Sequence, residues 1–116
     1  MESIIKLRII LDATEDIFRD IEINYDAPLM HLHLATLDAF EWGDAHEMAS
    51  FYKADNEWNQ GEEFPLFDMS EEYTDDTIMM SEVVLESLLT KPNEKLIYVY
   101  DFFNMWSFYV ELIETN

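Results

Sequence analysis

The sequence contains no cysteine, and its 116 residues include only two glycines, Gly43 and Gly61. Without cysteine the chain forms no disulfide, offers no thiolate nucleophile and builds no cysteine-ligated zinc or iron–sulfur site. Two isolated glycines do not make the glycine-rich loop that cradles the phosphates of ATP, GTP or a dinucleotide. We therefore expect no cofactor.

Positive charge is also scarce, because 6 basic residues stand against 26 acidic ones and the formal net charge is −20. Such a surface repels phosphate groups, so direct binding to nucleic acid or to an anionic membrane is disfavoured. The longest uncharged run, Ala27–Leu37, is too short to cross a membrane. Charged residues between Glu2 and Asp12 interrupt any signal-peptide core. We expect a cytoplasmic protein that binds neither nucleic acid nor membrane directly.

The apolar content separates this chain from a disordered acidic tail. Hydrophobic residues make up 49% of the sequence and aromatic residues 15%, which is enough to build a core. No repeat, linker or internal boundary divides the chain, so we expect a single domain over residues 1–116. Because the folded chain repels itself, added salt or mild acidification to about pH 5 should stabilise it.

Both ends of the chain are rich in the β-branched, aromatic and other apolar residues of strands, and the N-terminal segments also alternate with a period of two that places Lys6 and Arg8 on one face. Near the N-terminus, Ile4–Leu11 and Ile17–Ile23 are separated by a short polar segment. Near the C-terminus, Lys95–Phe102 and Ser107–Glu114 flank a second turn. Each pair predicts an antiparallel hairpin.

The middle of the chain changes to helical spacing. Pro28 and the apolar residues after it predict a helix over Leu29–Glu41, with an apolar face that Leu34 widens. A strand over His46–Lys53, a short edge strand over Glu63–Phe67 and a second, shorter helix over Glu82–Leu89 follow. The order predicts an α+β fold: a mainly antiparallel sheet with terminal hairpins, one face covered by the central helix and the shorter second helix.

Three residues are candidates for catalysis. His33 lies on the apolar face of the predicted helix, which is typical of a core histidine with satisfied ring nitrogens. His33 or His46 would alternatively pair with Asp101 for acid–base chemistry, because a carboxylate fixes the tautomer of a histidine that titrates near neutrality. His31 diverges from His33 on the helix, and the acidic run Glu71–Asp76 lacks the turn glycine of a calcium loop. We expect no metal site.

Four aromatic residues are candidates for partner binding. Most aromatic side chains should fill the core, but adjacent Phe102 and Phe103 point to opposite sides of an extended chain. One of the two should therefore be exposed, as an anchor for a partner would be. The partner-binding candidates are Trp42, Trp58, Phe103 and Trp106.

Five short motifs follow one another along nearly the whole chain. They are Ile17-Phe18-Arg19-Asp20-Ile21-Glu22-Ile23, then Leu32-His33 with Ala39-Phe40-x-Trp42, then His46-x-Met48-x-Ser50-Phe51, then Trp58-x-x-Gly61-x-Glu63, and finally Tyr100-Asp101-Phe102 with Trp106. In order and spacing they resemble the motifs of the plasmid ORF-three-like family, whose members are often labelled insertion-element passenger or resolvase-like proteins.

The resemblance implies a compact α+β domain and an association with mobile elements, but no established activity. A fold alone would not supply a mechanism in any case. The chain also departs from the family pattern. Phe103-Asn104 stands where the family has Gly-Asp, and Phe108 stands where it often has histidine. If those family residues form a polar site, this chain keeps only Asp101 of it.

Three functional hypotheses remain open. The first is a non-enzymatic interaction domain whose acidic surface selects a basic protein partner. The second is a hydrolase or metal-dependent enzyme, which requires His33, His46 and Asp101 to converge in a concave pocket. The third is a nucleic-acid mimic that occupies a basic groove of a DNA-binding protein, which requires carboxylates at regular spacing along one exposed face.

Overall fold

Six strands and one α-helix make up the regular structure of the described residues. The structure is a computed structural model, and it describes residues 4–12, 17–41, 48–66, 78–90, 94–101 and 105–115. The elements are β1 (Ile4–Leu11), β2 (Ile17–Asn24), α1 (Leu29–Ala39), β3 (Ala49–Ala54), β4 (Gln60–Pro65), β5 (Lys95–Tyr100) and β6 (Trp106–Thr115).

The strands form one sheet in the order β2-β1-β6-β5-β3-β4, and every neighbouring pair is antiparallel. Both predicted terminal hairpins are present, as the pairs β1–β2 and β5–β6. The two hairpins join where β1 pairs with β6, from Ile5 opposite Thr115 to Leu11 opposite Phe108. The first and last strands therefore lie side by side within the sheet.

One face of the sheet, here called the inner face, carries the main core. Along β1 buried residues alternate with half-buried ones, because successive side chains of a strand point to opposite faces. Three rings fill the centre: the Tyr98 ring lies 4.6 Å from that of Phe51 and 5.5 Å from that of Phe108, centroid to centroid. Helix α1 covers this layer, and the Phe40 ring, one residue after the end of α1, lies 5.1 Å from the Phe108 ring in an edge-to-face contact.

Helix α1 begins after Pro28, as predicted, and ends at Ala39, two residues before the predicted end. Glu41 then adopts a left-handed conformation with φ of 59°. Leu34 corrects the expected apolar face, because its side chain is 45% exposed rather than part of the core. These elements confirm the predicted α+β fold with a mainly antiparallel sheet.

The predicted second helix over Glu82–Leu89 is wrong. Two 3-10 turns, Met80–Glu82 and Leu85–Ser87, replace it, with extended backbone at Val83 and Val84 between them. Besides the bonds within each turn, backbone groups of this segment bond to the start of α1 and to the chain before it: Leu29 N–H donates to Val83 O, and Leu85 N–H donates to Ala27 O, both at 2.9 Å. Two adjacent β-branched valines also favour the extended form.

The remaining strand predictions differ from the structure at their ends. The strand predicted over His46–Lys53 is β3, which spans Ala49–Ala54, and the first two predicted residues lie outside the described part of the chain. The strand predicted over Glu63–Phe67 is β4, and its predicted edge position is confirmed. Within the described ranges, no helix is long and apolar enough to cross a membrane.

Candidate functional site

The layer that covers the inner face carries an exposed leucine and several exposed carboxylates. Leu34 lies on the outward side of α1 and is 45% exposed, and Asp38 follows it one turn later on the same side. We call this exposed set of residues the helix surface. It consists of Asp26, Leu34, Asp38, Glu41, Glu82 and Glu86.

The carboxylates of the helix surface come from two segments of the chain, residues 26–41 and residues 82–86. Backbone hydrogen bonds hold these segments together. Pro28 and Val84 form an isolated antiparallel bridge. Glu86 N–H donates to Tyr25 O at 3.0 Å, which brings Glu86 beside the segment that carries Asp26. The Tyr25 hydroxyl donates to Leu89 O at 2.5 Å and ties the same two segments from the other end. The carboxylates of the helix surface therefore lie on a fixed layer.

The opposite face of the sheet, here called the outer face, has a different electrostatic pattern. A cross-strand row runs over β2, β1, β6 and β5 with the signs of its charges alternating, and we call it the charged row. Arg8 donates from Nε and Nη2 to the two carboxylate oxygens of Asp20 at 2.8 and 3.0 Å, and Lys95 Nζ lies 4.0 Å from Glu111 Oε1. The charged row is Asp20, Arg8, Glu111 and Lys95.

Trp58, a predicted partner-binding residue, packs onto the outer face. The Asp55 carboxylate accepts the backbone N–H groups of Glu57 and Asn59, at 2.8 and 2.9 Å, and so fixes the turn that carries Trp58. These bonds from Asn59 and Glu57 hold the pKa of Asp55 below its ordinary value. The Trp58 ring lies 4.9 Å from the Tyr109 ring and is half-buried.

Trp106 is the more exposed of the two described candidates for partner binding. Its side chain is 41% exposed at the start of β6, and neighbouring Met105 is 58% exposed. The other two predicted aromatic anchors, Trp42 and Phe103, lie outside the described residues. The role of all four in binding a partner stays a prediction.

His33 lies at the centre of the inner core and is fully buried. Its Nδ1 lies 2.5 Å from the Tyr98 hydroxyl, and the two rings meet edge to face at 5.7 Å. Burial raises the pKa of the Tyr98 phenol, so this hydroxyl is neutral and shares its hydrogen bond with the imidazole. No buried polar side-chain atom among the described residues is without a hydrogen-bond partner. This geometry matches that of a structural core histidine.

Asp101, the proposed partner of His33, lies immediately after β5. Its backbone is left-handed, with φ of 58°, and its N–H donates to Met48 O at 2.8 Å. It follows Tyr98 by three residues, about 10 Å along an extended strand. His46 lies outside the described residues, so the convergence of the three candidate catalytic residues stays a prediction. Within the described ranges, no group of three histidine or acidic side chains is placed to hold a metal ion.

Sequence reasoning missed two features of these surfaces. Tyr98 was assigned to the core in general, but its pairing with His33 joins residues 65 positions apart and left no local pattern to find. The charged row is also non-local, although the period of two in β1 already placed Lys6 and Arg8 on one face. A search for opposite charges at matching positions of the two predicted hairpin strands would have found Arg8 and Asp20.

Comparison with solved structures identifies a similar fold. A crystal structure of a protein of unknown function from Methanosarcina mazei Go1 superposes with a TM-score of 0.76 at 19% sequence identity. The match covers 99% of this chain and 61% of that protein, so this chain spans less than two thirds of its length. At this identity the likeness establishes the fold alone.

Comparison of sequences identifies the family. No curated protein matches this chain significantly. The model of the family described as plasmid pRiA4b ORF-3-like protein matches residues 3–116, which include all five motifs. The predicted resemblance is therefore confirmed, and the chain belongs to the plasmid pRiA4b ORF-3-like family.

Proposed function

We propose that this protein is a non-enzymatic interaction domain whose helix surface binds a basic region of a partner protein. The observation that carries the proposal is that one layer holds both the exposed Leu34 and several exposed carboxylates. Protein interfaces commonly combine a small apolar anchor with a charged rim that selects the partner. The helix surface has both parts.

Charge supports a basic partner. At a net charge of −20, the long-range field attracts cationic surfaces and accelerates their encounter, whereas acidic partners are repelled. Salt screens this attraction over about 10 Å at 0.1 M. Binding should therefore weaken as ionic strength rises.

The environment of His33 also favours a binding role over catalysis. A general acid or base must reach the proton that it transfers. His33 is fully buried and its Nδ1 is engaged by Tyr98, which suits a structural role.

The test is affinity capture at low and high salt with three matched baits. The first is the unmodified protein, and the second removes three carboxylates of the helix surface by Asp38→Asn, Glu41→Gln and Glu86→Gln. The third is the control, which removes three exposed carboxylates elsewhere, at Glu57, Glu62 and Glu114. The second and third baits carry the same net charge.

A stoichiometric basic partner that is lost from the helix-surface variant and from high salt, but retained by the control, is the expected result. Leu34→Ser should also lose it, since the apolar anchor is then removed. Equal binding by all baits, or equal loss from both variants, would contradict a specific helix surface. Capture of a DNA-binding protein that DNA competes away would favour the nucleic-acid mimic instead.

A further inference from the structure

The two edge strands of the sheet differ in how well they are protected against pairing with another chain. At the β4 edge, the pairing with β3 shifts register between Tyr52 and Ala54, and the strand ends in Pro65, which cannot donate a backbone hydrogen bond. Bulges and edge prolines are standard protection against strand addition. The β4 edge is therefore a poor template for a further strand.

The β2 edge has neither feature. All eight residues of β2 pair with β1 in an unbroken register, from Ile17 opposite Leu11 to Asn24 opposite Ile4. The first four residues of β2 are exposed, and the Phe18 side chain is 50% exposed. Among the described residues, β2 has a strand neighbour on one side only. A regular strand with an open side can accept the backbone of an extended peptide.

The charges on the outer face indicate which peptide would fit this edge. Two cross-strand rows end on β2 with a carboxylate. One is the charged row, which ends at Asp20 next to Arg8, and the other runs from Glu114 through Lys6 to Glu22. In both rows the sign alternates from strand to strand, so the next strand outward would continue the pattern with a basic side chain.

We propose that the β2 edge binds an extended segment of a partner protein that carries two basic side chains at alternating positions. The segment adds to the sheet as an antiparallel strand and sets one basic residue opposite Asp20 and one opposite Glu22. Phe18 lies on the same face, two residues before Asp20, so the position opposite it takes an apolar side chain. This inference concerns a surface separate from the helix surface and does not depend on the function proposed there.

A second copy of this chain is a poorer occupant of the same edge. If two β2 strands pair antiparallel about Ile21, with their inner faces on the same side, Asp20 of each copy lies opposite Glu22 of the other, and centring on Asp20 sets the two Asp20 side chains opposite each other. Two chains of charge −20 also repel each other at long range. A segment with alternating basic residues would instead place opposite charges next to Asp20 and Glu22, and the net charge of the protein would attract it at long range.

The test uses a synthetic peptide, acetyl-Thr-Lys-Val-Lys-Thr-Val-Thr-amide, titrated against the whole protein at low salt and followed by backbone amide NMR. A control peptide of the same composition, acetyl-Thr-Val-Lys-Lys-Val-Thr-Thr-amide, has adjacent lysines, of which only one can face the outer side. Two further versions of the first peptide carry N-methyl groups, one on the odd-numbered amides and the other on the even-numbered amides. Only one of the two sets points toward β2, so only one version loses the hydrogen bonds to β2, and the charge is the same in both.

The expected result is that shifts and slowed amide exchange concentrate on residues 17–24, with the alternating peptide at least about fivefold tighter than its control. One N-methylated version should lose binding and the other retain it. Asp20→Asn with Glu22→Gln should weaken binding, whereas Glu57→Gln with Glu62→Gln, which removes equal charge, should not.

Three results would overturn the proposal. They are shifts that lie away from β2, equal affinity for the alternating and adjacent-lysine peptides, and the absence of binding by any peptide. Sedimentation that shows a dimer sensitive to substitutions in β2 would assign the edge to a second copy. The helix-surface variant provides the separation from the proposed function, since it should bind the alternating peptide normally.

Discussion

The inner and outer faces of the same sheet are built from different interactions. The inner face buries aromatic and aliphatic side chains beneath α1, and its buried polar side chains are bonded within the core, as His33 is to Tyr98 and Thr36 to Leu32 O. The outer face carries the charged row and holds Lys6, Arg8 and Lys95, three of the six basic residues in the sequence. The inner face therefore supplies most of the stability, and the outer face sets the charge pattern that a neighbouring chain meets.

Substituting a phenylalanine on each face should give the largest contrast. Phe108→Ala empties a fully buried site between Tyr98 and Phe40, and we expect the free energy of unfolding to fall by about 3–5 kcal/mol. Phe18→Ala on the outer face removes a half-exposed ring and should cost less than about 1 kcal/mol. Urea denaturation measures both, with Phe108→Leu as a milder variant if the alanine variant does not fold. Similar losses of unfolding free energy at both positions would show that the two faces contribute equally to stability.

Removing one hydroxyl from each face tests whether the polar contact between His33 and Tyr98 matters. Tyr98→Phe leaves the buried His33 Nδ1 without its partner, and we expect a loss of about 2 kcal/mol. The matched control is Tyr109→Phe on the outer face, whose hydroxyl lies 3.4 Å from Asp12 Oδ2 and should contribute less than about 0.5 kcal/mol. A Tyr98→Phe variant as stable as the unmodified protein would show that the contact is dispensable.

We expect a smaller loss of stability on substitution of Glu94, the residue before β5, whose carboxylate accepts hydrogen bonds from Lys53 and Thr90. Burial would raise the pKa of Glu94, but hydrogen bonds from Lys53 and Thr90 outweigh it and hold the pKa below its ordinary value of 4.5. A lowered pKa stabilises the fold above pH 4.5, and this contribution is lost as the pH falls through the lower folded value. Glu94→Gln should therefore cost about 1 kcal/mol at pH 7.

The pH dependence of that loss is the sharper measurement. The difference in melting temperature between Glu94→Gln and the unmodified protein should stay constant from pH 7 to about pH 5 and shrink below pH 4.5. Exposed Glu86→Gln is the control. If the difference in melting temperature between Glu94→Gln and the unmodified protein grew as the pH fell, the pKa of Glu94 would not be lowered by the fold.

These shifts also bear on the stabilisation by mild acid that the sequence predicts. That expectation requires the fold to raise the pKa values of many carboxylates. Hydrogen bonds instead lower the pKa values of Asp20, Asp55 and Glu94. For these three groups acid removes stability. The net effect of mild acid on the whole protein, like that of salt, stays a prediction.

The smallest effect on stability is expected within the charged row. Arg8 and Asp20 form a bidentate pair, but the Arg8 side chain is 41% exposed, and exposed ion pairs contribute little. Arg8→Gln should lower the melting temperature by no more than about 2 °C, with a smaller effect in high salt. A loss as large as that of Tyr98→Phe would mean that the outer face also stabilises the fold.

Local patterns predicted most of the fold, and contacts between distant segments explain what they missed. Residue type and alternation located β1, β2, β5 and β6. In β1 buried residues do alternate with half-buried ones, whereas β5 is buried on both faces. The segment after Ser81 also had an apolar stripe with helical spacing, but its backbone bonds to residues before α1. No window of the sequence contains those partners.

The candidate site was less predictable than the fold for the same reason. Helical spacing correctly placed His33 inside and His31 outside, yet it could not indicate that Tyr98 approaches His33. Helical spacing also placed Leu34 at the margin of the apolar face, but its side chain is exposed. Only the position of the sheet relative to α1 determines that it faces outward.

The pairing of β1 with β6 has a consequence for folding. Residues close to opposite ends of the chain must meet before the hairpin of β1 and β2 can join the other four strands. Contacts of such long sequence separation slow folding, because chain entropy is lost before they form. During synthesis the N-terminal hairpin therefore waits, with two open edges, until the last strand has been made. We expect a refolding rate typical of β-sandwich domains, and an N-terminal hairpin that is vulnerable to aggregation until β6 arrives.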